Sequence, residues 1–146
     1  MQKEYKSITQ ENIEIGQIAE KSKRVTEQDV DMFAQTTGDM NPAHTDEEYA
    51  KNSIFKTKIA HGMLGAGLIS ATLGMDLPGP GTIYLGQELK FIHPIFFDDV
   101  IVAKVEVVNL IDKKKFIIAE LHTTVVNQDG ELLIDGKATV IPPKGE

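Results

Sequence analysis

Cysteine is absent from the chain, which excludes disulfides, a thiol nucleophile and any thiolate metal site while leaving the redox compartment undetermined. Long apolar runs are missing as well. Hydrophobic residues make up 41% of the composition, yet no window approaches the roughly eighteen uninterrupted apolar residues that a membrane helix requires. Positive charge is in deficit: a formal net charge of −7 argues against general nucleic-acid binding, because neutralising phosphates needs a concentrated positive face. The one dense basic run, Lys113-Lys114-Lys115, lies between two β-branched segments and reads as a solvated hairpin turn. The opening MQKEYKSITQENIEIGQ carries lysines but no apolar stretch or small-residue cleavage site. It does not read as a secretion signal and points to the cytoplasm.

What is present is enough for one domain. At 146 residues the chain can bury a core without staples, and a single domain over 1–146 is expected. From Val25 to Thr37, Thr26 as a cap, Asp29 three residues later, and Val30, Phe33 and Ala34 at helical spacing predict a helix that stops at Gly38. The run GDMNP from Gly38 to Pro42 is turn chemistry, followed by a short helix over 46–51. The stretch IAHGMLGAGLISATLGMDLPGPG reads as a buried helix, broken by Pro78, Gly79, Pro80 and Gly81. Gly62, Gly65 and Gly67 within it each cost about 1 kcal/mol relative to alanine, so close backbone approach to a sheet or ligand is expected to compensate. After Gly81 four β-patterned segments follow with a turn at Asp129-Gly130, predicting an antiparallel meander; a fifth strand is expected near 16–25. The fold class is α+β, with about five strands wrapped on one buried helix.

The histidines at 44, 61, 93 and 122 have neither HExxH nor HxH spacing, so no metal is expected. No Gly-x-Ser-x-Gly elbow occurs, and GAGLIS lacks the rest of a dinucleotide fingerprint, so no cofactor is expected either. The informative stretch is GDMNPAHTDEEYA. Asp39 and His44 flank an Asn-Pro turn and can face a common point as an acid–base pair suited to hydrating a conjugated thioester. A turn-forming Asp and a structural His remain the alternative on these residues alone. Gly62, opening the buried helix, offers a backbone N–H where negative charge on a thioester oxygen would be stabilised; a plain helix-start glycine is its alternative.

Taken together, GDMNPAHTDEEYA, IAHGML, GLIS and IYLGQELKF resemble the MaoC-like, (R)-specific enoyl-CoA hydratase family over roughly 25–107. The resemblance implies a hot-dog fold, a curved antiparallel sheet around a long central helix, in a protein that is usually dimeric. It implies a hydro-lyase adding water reversibly and syn across the 2,3 double bond of short- to medium-chain trans-2-enoyl-CoA. Asp39 and His44 would then activate the water, with His44 favoured as base and Asp39 as acid, and the Gly62 N–H would bind the thioester oxygen. Ser70 and Leu73 match the acyl-pocket floor, with core packing as the alternative for Leu73. The implied partners are acyl-CoA or an acyl carrier protein substrate, and a second copy of the chain. His61 and Asn41 are read as ordering the loop and helix start, and His93 and His122 as ordinary sheet residues. A hot-dog acyl-CoA thioesterase and a non-catalytic acyl-CoA-binding module are the competing functions.

Overall fold

Residues 3–145 are described by the computed structural model. Strand β1 (Ile18–Arg24) leads into helix α1 (Glu27–Thr37), which forms for the reasons its sequence gives. The Thr26 hydroxyl accepts the Asp29 N–H at 3.1 Å, and the Asp29 carboxylate accepts the Thr26 N–H at 2.9 Å, a reciprocal capping box. At the other end Gly38 takes the left-handed conformation (φ 81°) and its N–H donates to the Ala34 carbonyl, stopping the helix. Val30 and Ala34 are the positions α1 buries.

Two short helices follow, α2 (Pro42–Thr45) and α3 (Glu47–Lys51), then the two-residue strand β2 (Ile59–Ala60) and the central helix α4 (Gly62–Met75). Strand β3 (Ile83–Phe91), the short β4 (Ile95–Phe96) and the long strands β5 (Val100–Asp112), β6 (Ile117–Val126) and β7 (Leu132–Ile141) complete the chain. None of the described helices is long and apolar enough to cross a membrane.

The five long strands make one antiparallel sheet in the order β1-β5-β6-β7-β3. This corrects the expected meander. β5, β6 and β7 do run hairpin to hairpin, through turns at the three lysines and at Gly130. β3, however, joins the far edge beside β7. Between β3 and β5 the chain breaks pairing at His93-Pro94 and makes β4, which pairs with β2 in a separate two-stranded sheet. That detour carries β5 over to lie beside β1.

Alternation along β5 puts Ile101, Ala103, Val105 and Val107 inside, and β6 and β7 add Leu121, Val125, Ile134 and Val140. Helix α4 meets this layer along Gly65, Ala66, Leu68, Ile69, Thr72 and Leu73, packing on β5, β1, β6 and β7. Ile69 and Leu73 are sealed from water, each burial stabilising the fold by about 1.5–3 kcal/mol. The helix is not buried on all sides, as its apolar sequence suggests: Met63 and Met75 are exposed. Close backbone approach explains Gly62 and Gly65 but not Gly67, where a side chain would meet open space.

The capping box generates a pH-dependent contribution to stability. Chiefly the Thr26 backbone N–H, with Lys23 at 3.0 Å adding to it, holds the Asp29 carboxyl below the usual carboxylate range. A depressed carboxylate pKa stabilises the fold above the unfolded-state value, and that stability is lost as pH falls through the folded one. Thr26→Ala should therefore cost about 0.5–2 kcal/mol in urea unfolding at neutral pH. The cost of Asp29→Asn should shrink as the pH is lowered below about 4, where the wild-type carboxylate also becomes protonated.

Candidate active site

The loop after α1 is built residue by residue for one geometry. Gly38 ends the helix, and the Asp39 Oδ1 then accepts the Asn41 N–H at 3.2 Å, turning the chain. The Asn41 side chain accepts the Ala43 N–H at 3.0 Å and caps α2, with Pro42 as the first helical residue. His44 is thereby presented on a one-turn helix whose backbone is fixed at both ends. Its Nδ1 lies 2.7 Å from the Ile59 carbonyl on β2.

That contact decides the imidazole's chemistry. A carbonyl oxygen only accepts, so Nδ1 carries the proton and donates it. In the neutral ring the lone pair is therefore on Nε2, where a base needs it. Lys58, next to Ile59, reinforces the placement by bridging to Glu27 of α1 at 2.8 Å. This hydrogen bond holds the Lys58 ammonium above its ordinary range.

The structure brings Asp39, His44 and His61 together: one nitrogen of each imidazole and one Asp39 oxygen lie within 4.8 Å of one another. Asp39 keeps about half its side chain exposed (51%), whereas His61 is 2% exposed. The His61 Nε2 sits 4.0 Å from the Asp39 Oδ2. Donors of these types at this separation form the kind of cluster that the sequence spacing of the histidines does not suggest, because the three residues converge only through the fold.

Gly62 follows His61 and opens α4, which has no side-chain cap. The Leu64 N–H donates to the His61 carbonyl at 3.0 Å, which leaves the Gly62 and Met63 N–H groups at the helix start, where the positive end of the helix dipole adds to their pull on an oxygen. A cavity of about 390 Å³ lies alongside, lined by His44, Gly62, Met63, Phe91, His93 and Ile134 among others. It is mainly apolar and of a size that small acyl ligands occupy.

Two expected pocket residues are not brought there. Ser70 is exposed and Leu73 is core; neither lines this cavity. At 1.5 Å per residue they stand about 12 and 16 Å along α4 from Gly62. His93 is corrected in the other direction. It falls in the break between β3 and β4, its Nδ1 donates to the Leu132 carbonyl at 3.0 Å, and its ring lines the cavity. The following proline was the signal, since proline cannot continue a paired strand. Phe91 is another of the wall residues that periodicity did not single out. His122 is a sheet residue as expected, paired with Asp135 across β6 and β7 at 2.7 Å.

A curved antiparallel sheet wrapped on one helix, with an Asp/His pair and a free helix amide beside an apolar cavity, is the arrangement of a hot-dog dehydratase. The chain belongs to the MaoC-like family, whose domain model matches residues 9–128. It is 47% identical over 133 residues to an (R)-specific enoyl-CoA hydratase of Rhodospirillum rubrum, covering 91% of this chain and 90% of that one. Among solved structures it resembles the unliganded R-hydratase PhaJ1 of Pseudomonas aeruginosa, with TM-score 0.90 and 40% identity over 97% of this chain and 89% of the other. It also resembles the (R)-hydratase from A. caviae involved in PHA biosynthesis, with TM-score 0.85 and 44% identity over 90% and 98% of the two chains.

Gly62 is sterically obligatory. A Cβ there would fall 2.7 Å from Cδ1 and Cε1 of Phe91, so alanine must push either the ring or the helix start aside. Gly62→Ala is expected to lower kcat/KM by about 10- to 100-fold through misplacement alone. Adding Phe91→Leu to make room should recover part of that loss in the same steady-state assay.

Proposed function

We propose that the chain is an (R)-specific enoyl-CoA hydratase, adding water reversibly and syn across the 2,3 double bond of trans-2-enoyl-CoA to give the (R)-3-hydroxyacyl-CoA. The observation that carries the reading is the bond from the His44 Nδ1 to the Ile59 carbonyl. It leaves the lone pair on Nε2 of a ring that lines the cavity together with Gly62 and that stands in one cluster with Asp39.

In the hydration direction the His44 Nε2 takes a proton from water as the hydroxyl oxygen bonds to C3. The C2–C3 π electrons move toward the thioester oxygen, where the Gly62 N–H stabilises the charge. Protonated Asp39 then delivers its proton to C2, so that the water O–H, the C2–C3 π bond and the Asp39 O–H break as C3–O, C2–H and the His44 N–H form. Transfer of the proton held by His44 back to Asp39 restores the starting state. Short to medium acyl chains match the 390 Å³ cavity. The thioester carrier is coenzyme A, and an acyl carrier protein presents the same pantetheine arm.

A second copy of the chain completes the proposal. The sheet has two edges of different character: β1 carries Glu20, Lys21, Lys23 and Arg24, whereas β3 exposes Ile83, Tyr84, Leu85 and Phe91. Charge on an edge blocks further pairing, and an apolar edge invites it. We propose an antiparallel β3-to-β3 homodimer. Sedimentation should give about twice 16.1 kDa, and a monomer mass at micromolar concentration would reject the pairing.

The activity test uses crotonyl-CoA and hexenoyl-CoA. Absorbance of the conjugated thioester should fall without release of free thiol. Asp39→Asn and His44→Ala should each lose about 10²- to 10⁴-fold in kcat, the usual worth of one acid–base group. Thiol release in place of hydration would make the enzyme a thioesterase, and wild-type rates in both variants would remove the pair from the mechanism.

A further inference from the structure

His61 is a buried titratable group for which this mechanism has no role, yet it touches both Asp39 and His44. Its Nε2 is 3.0 Å from the backbone carbonyl of Asp39, so that nitrogen carries the proton and donates it. Its ring lies 4.0 Å from the His44 ring, centroid to centroid, inclined at 33°, and 4.7 Å from Phe33 of α1. It occupies the cap position of α4, immediately before the Gly62 amide, without capping the helix.

With Nε2 protonated, the neutral ring has a bare lone pair on Nδ1. That atom is buried and has no hydrogen-bond partner among the described residues. Native folds seldom bury an unpaired polar atom, and where they do the group needs a reason to be polar at all. A phenylalanine or leucine would fill the same space without an orphaned nitrogen. Among the described residues the one hydrogen bond the imidazole makes is that to Asp39, on the very turn that aims the carboxylate.

We propose that His61 is the positioning residue of the acid–base pair. Its Nε2–H pins the Asp39 carbonyl and so fixes the Asx turn that holds the carboxylate, while its ring forms the packing surface that sets the plane of the His44 imidazole. Because it precedes Gly62 directly, the same side chain ties both proton-transfer groups to the helix start that carries the oxyanion donor. It transfers no proton itself. The inference rests on the hydratase reading for its activity readout.

Two substitutions separate the hydrogen bond from the packing. His61→Phe keeps the ring and volume but removes the N–H, and His61→Gln returns an N–H donor at similar reach. His61→Phe should lower kcat by about 10- to 100-fold, the scale of a 1 Å misplacement, with KM changed by no more than about threefold. His61→Gln should recover at least about half of that loss on a logarithmic scale. Wild-type kcat in His61→Phe, a loss confined to KM, or a glutamine variant no better than phenylalanine would overturn the proposal. Long-range ¹H–¹⁵N correlation on the labelled wild-type protein provides a test independent of variant folding and of any substrate. The Nε2–H tautomer is expected, and an Nδ1–H tautomer would overturn the assignment even if hydration is confirmed. Conversely, a wild-type enzyme inert toward enoyl-CoA but showing the Nε2–H tautomer would sink the hydratase reading and leave this geometry standing.

Discussion

How closely α4 can be laid against the strands that wrap it governs the rest of the molecule. At Gly65 the methyl ends of Ile134 and Ile95 stand 2.8 and 2.9 Å from where a Cβ would be, and at Gly62 the Phe91 ring takes the same liberty. Two glycines one turn apart thus let β3, β4 and β7 press on the helix backbone itself. Each glycine costs the helix about 1 kcal/mol in propensity. Full burial of Ile69, Leu73, Ile95 and Ile134 returns about 1.5–3 kcal/mol apiece, so packing wins. The consequence for chemistry is that the first turn of α4, with its free N–H groups, is clamped in place with the cavity wall made of the clamping residues.

The acid–base loop is held by a different kind of force. Asp39 is half exposed and Asn41 exposed, so little apolar burial fixes them. In its place a chain of local hydrogen bonds runs from Thr37 through Asp39, Asn41 and Thr45, each closing over two to five residues. Such bonds are worth about 1 kcal/mol each and restrict the backbone more than they stabilise the fold. Two longer ties attach this loop to the rigid body, His44 to Ile59 and His61 to Asp39, while Lys58 to Glu27 ties the approach to β2 onto α1. The surface pairs elsewhere, such as Lys51 with Glu48, contribute little by comparison.

Local chemistry was legible in the sequence and long-range partnership was not. Thr26, Asp29 and Gly38 announce both ends of α1 because caps act within four residues. The motif around Asp39, His44 and Gly62 is legible because a turn, a cap and a helix start are all short-range events. The placement of β3 beside β7 depends on what the chain does between His93 and Val100, where the tiny β2–β4 sheet has no pattern long enough to read. Ser70 and Leu73 show a related limit. Both are placed by the resemblance, which carries positions but not the facing of this helix, and the structure turns Leu73 into the core and Ser70 to the surface. His61 reads as ordering the loop and helix start, but the contact by which it does so, to a backbone carbonyl 22 residues away, is one that no side-chain pattern encodes.

The pairing of two proton-carrying groups, where one would serve hydrolysis, follows from reversibility. Hydration removes a proton from oxygen and places one on carbon, and dehydration must run the same steps backward with the same groups. A lone carboxylate would have to do both jobs on one face in succession; under the proposed mechanism two groups within 4.8 Å would hold the two protons at separate points. The demand on such a pair is geometric before it is electrostatic, because the donor must reach C2 while the acceptor reaches the water on C3. That explains why the loop is built from short rigid turns and why both imidazoles spend one nitrogen on a backbone carbonyl. Each such bond fixes a tautomer, and at His44 the fixed tautomer leaves Nε2 as the nitrogen able to accept a proton.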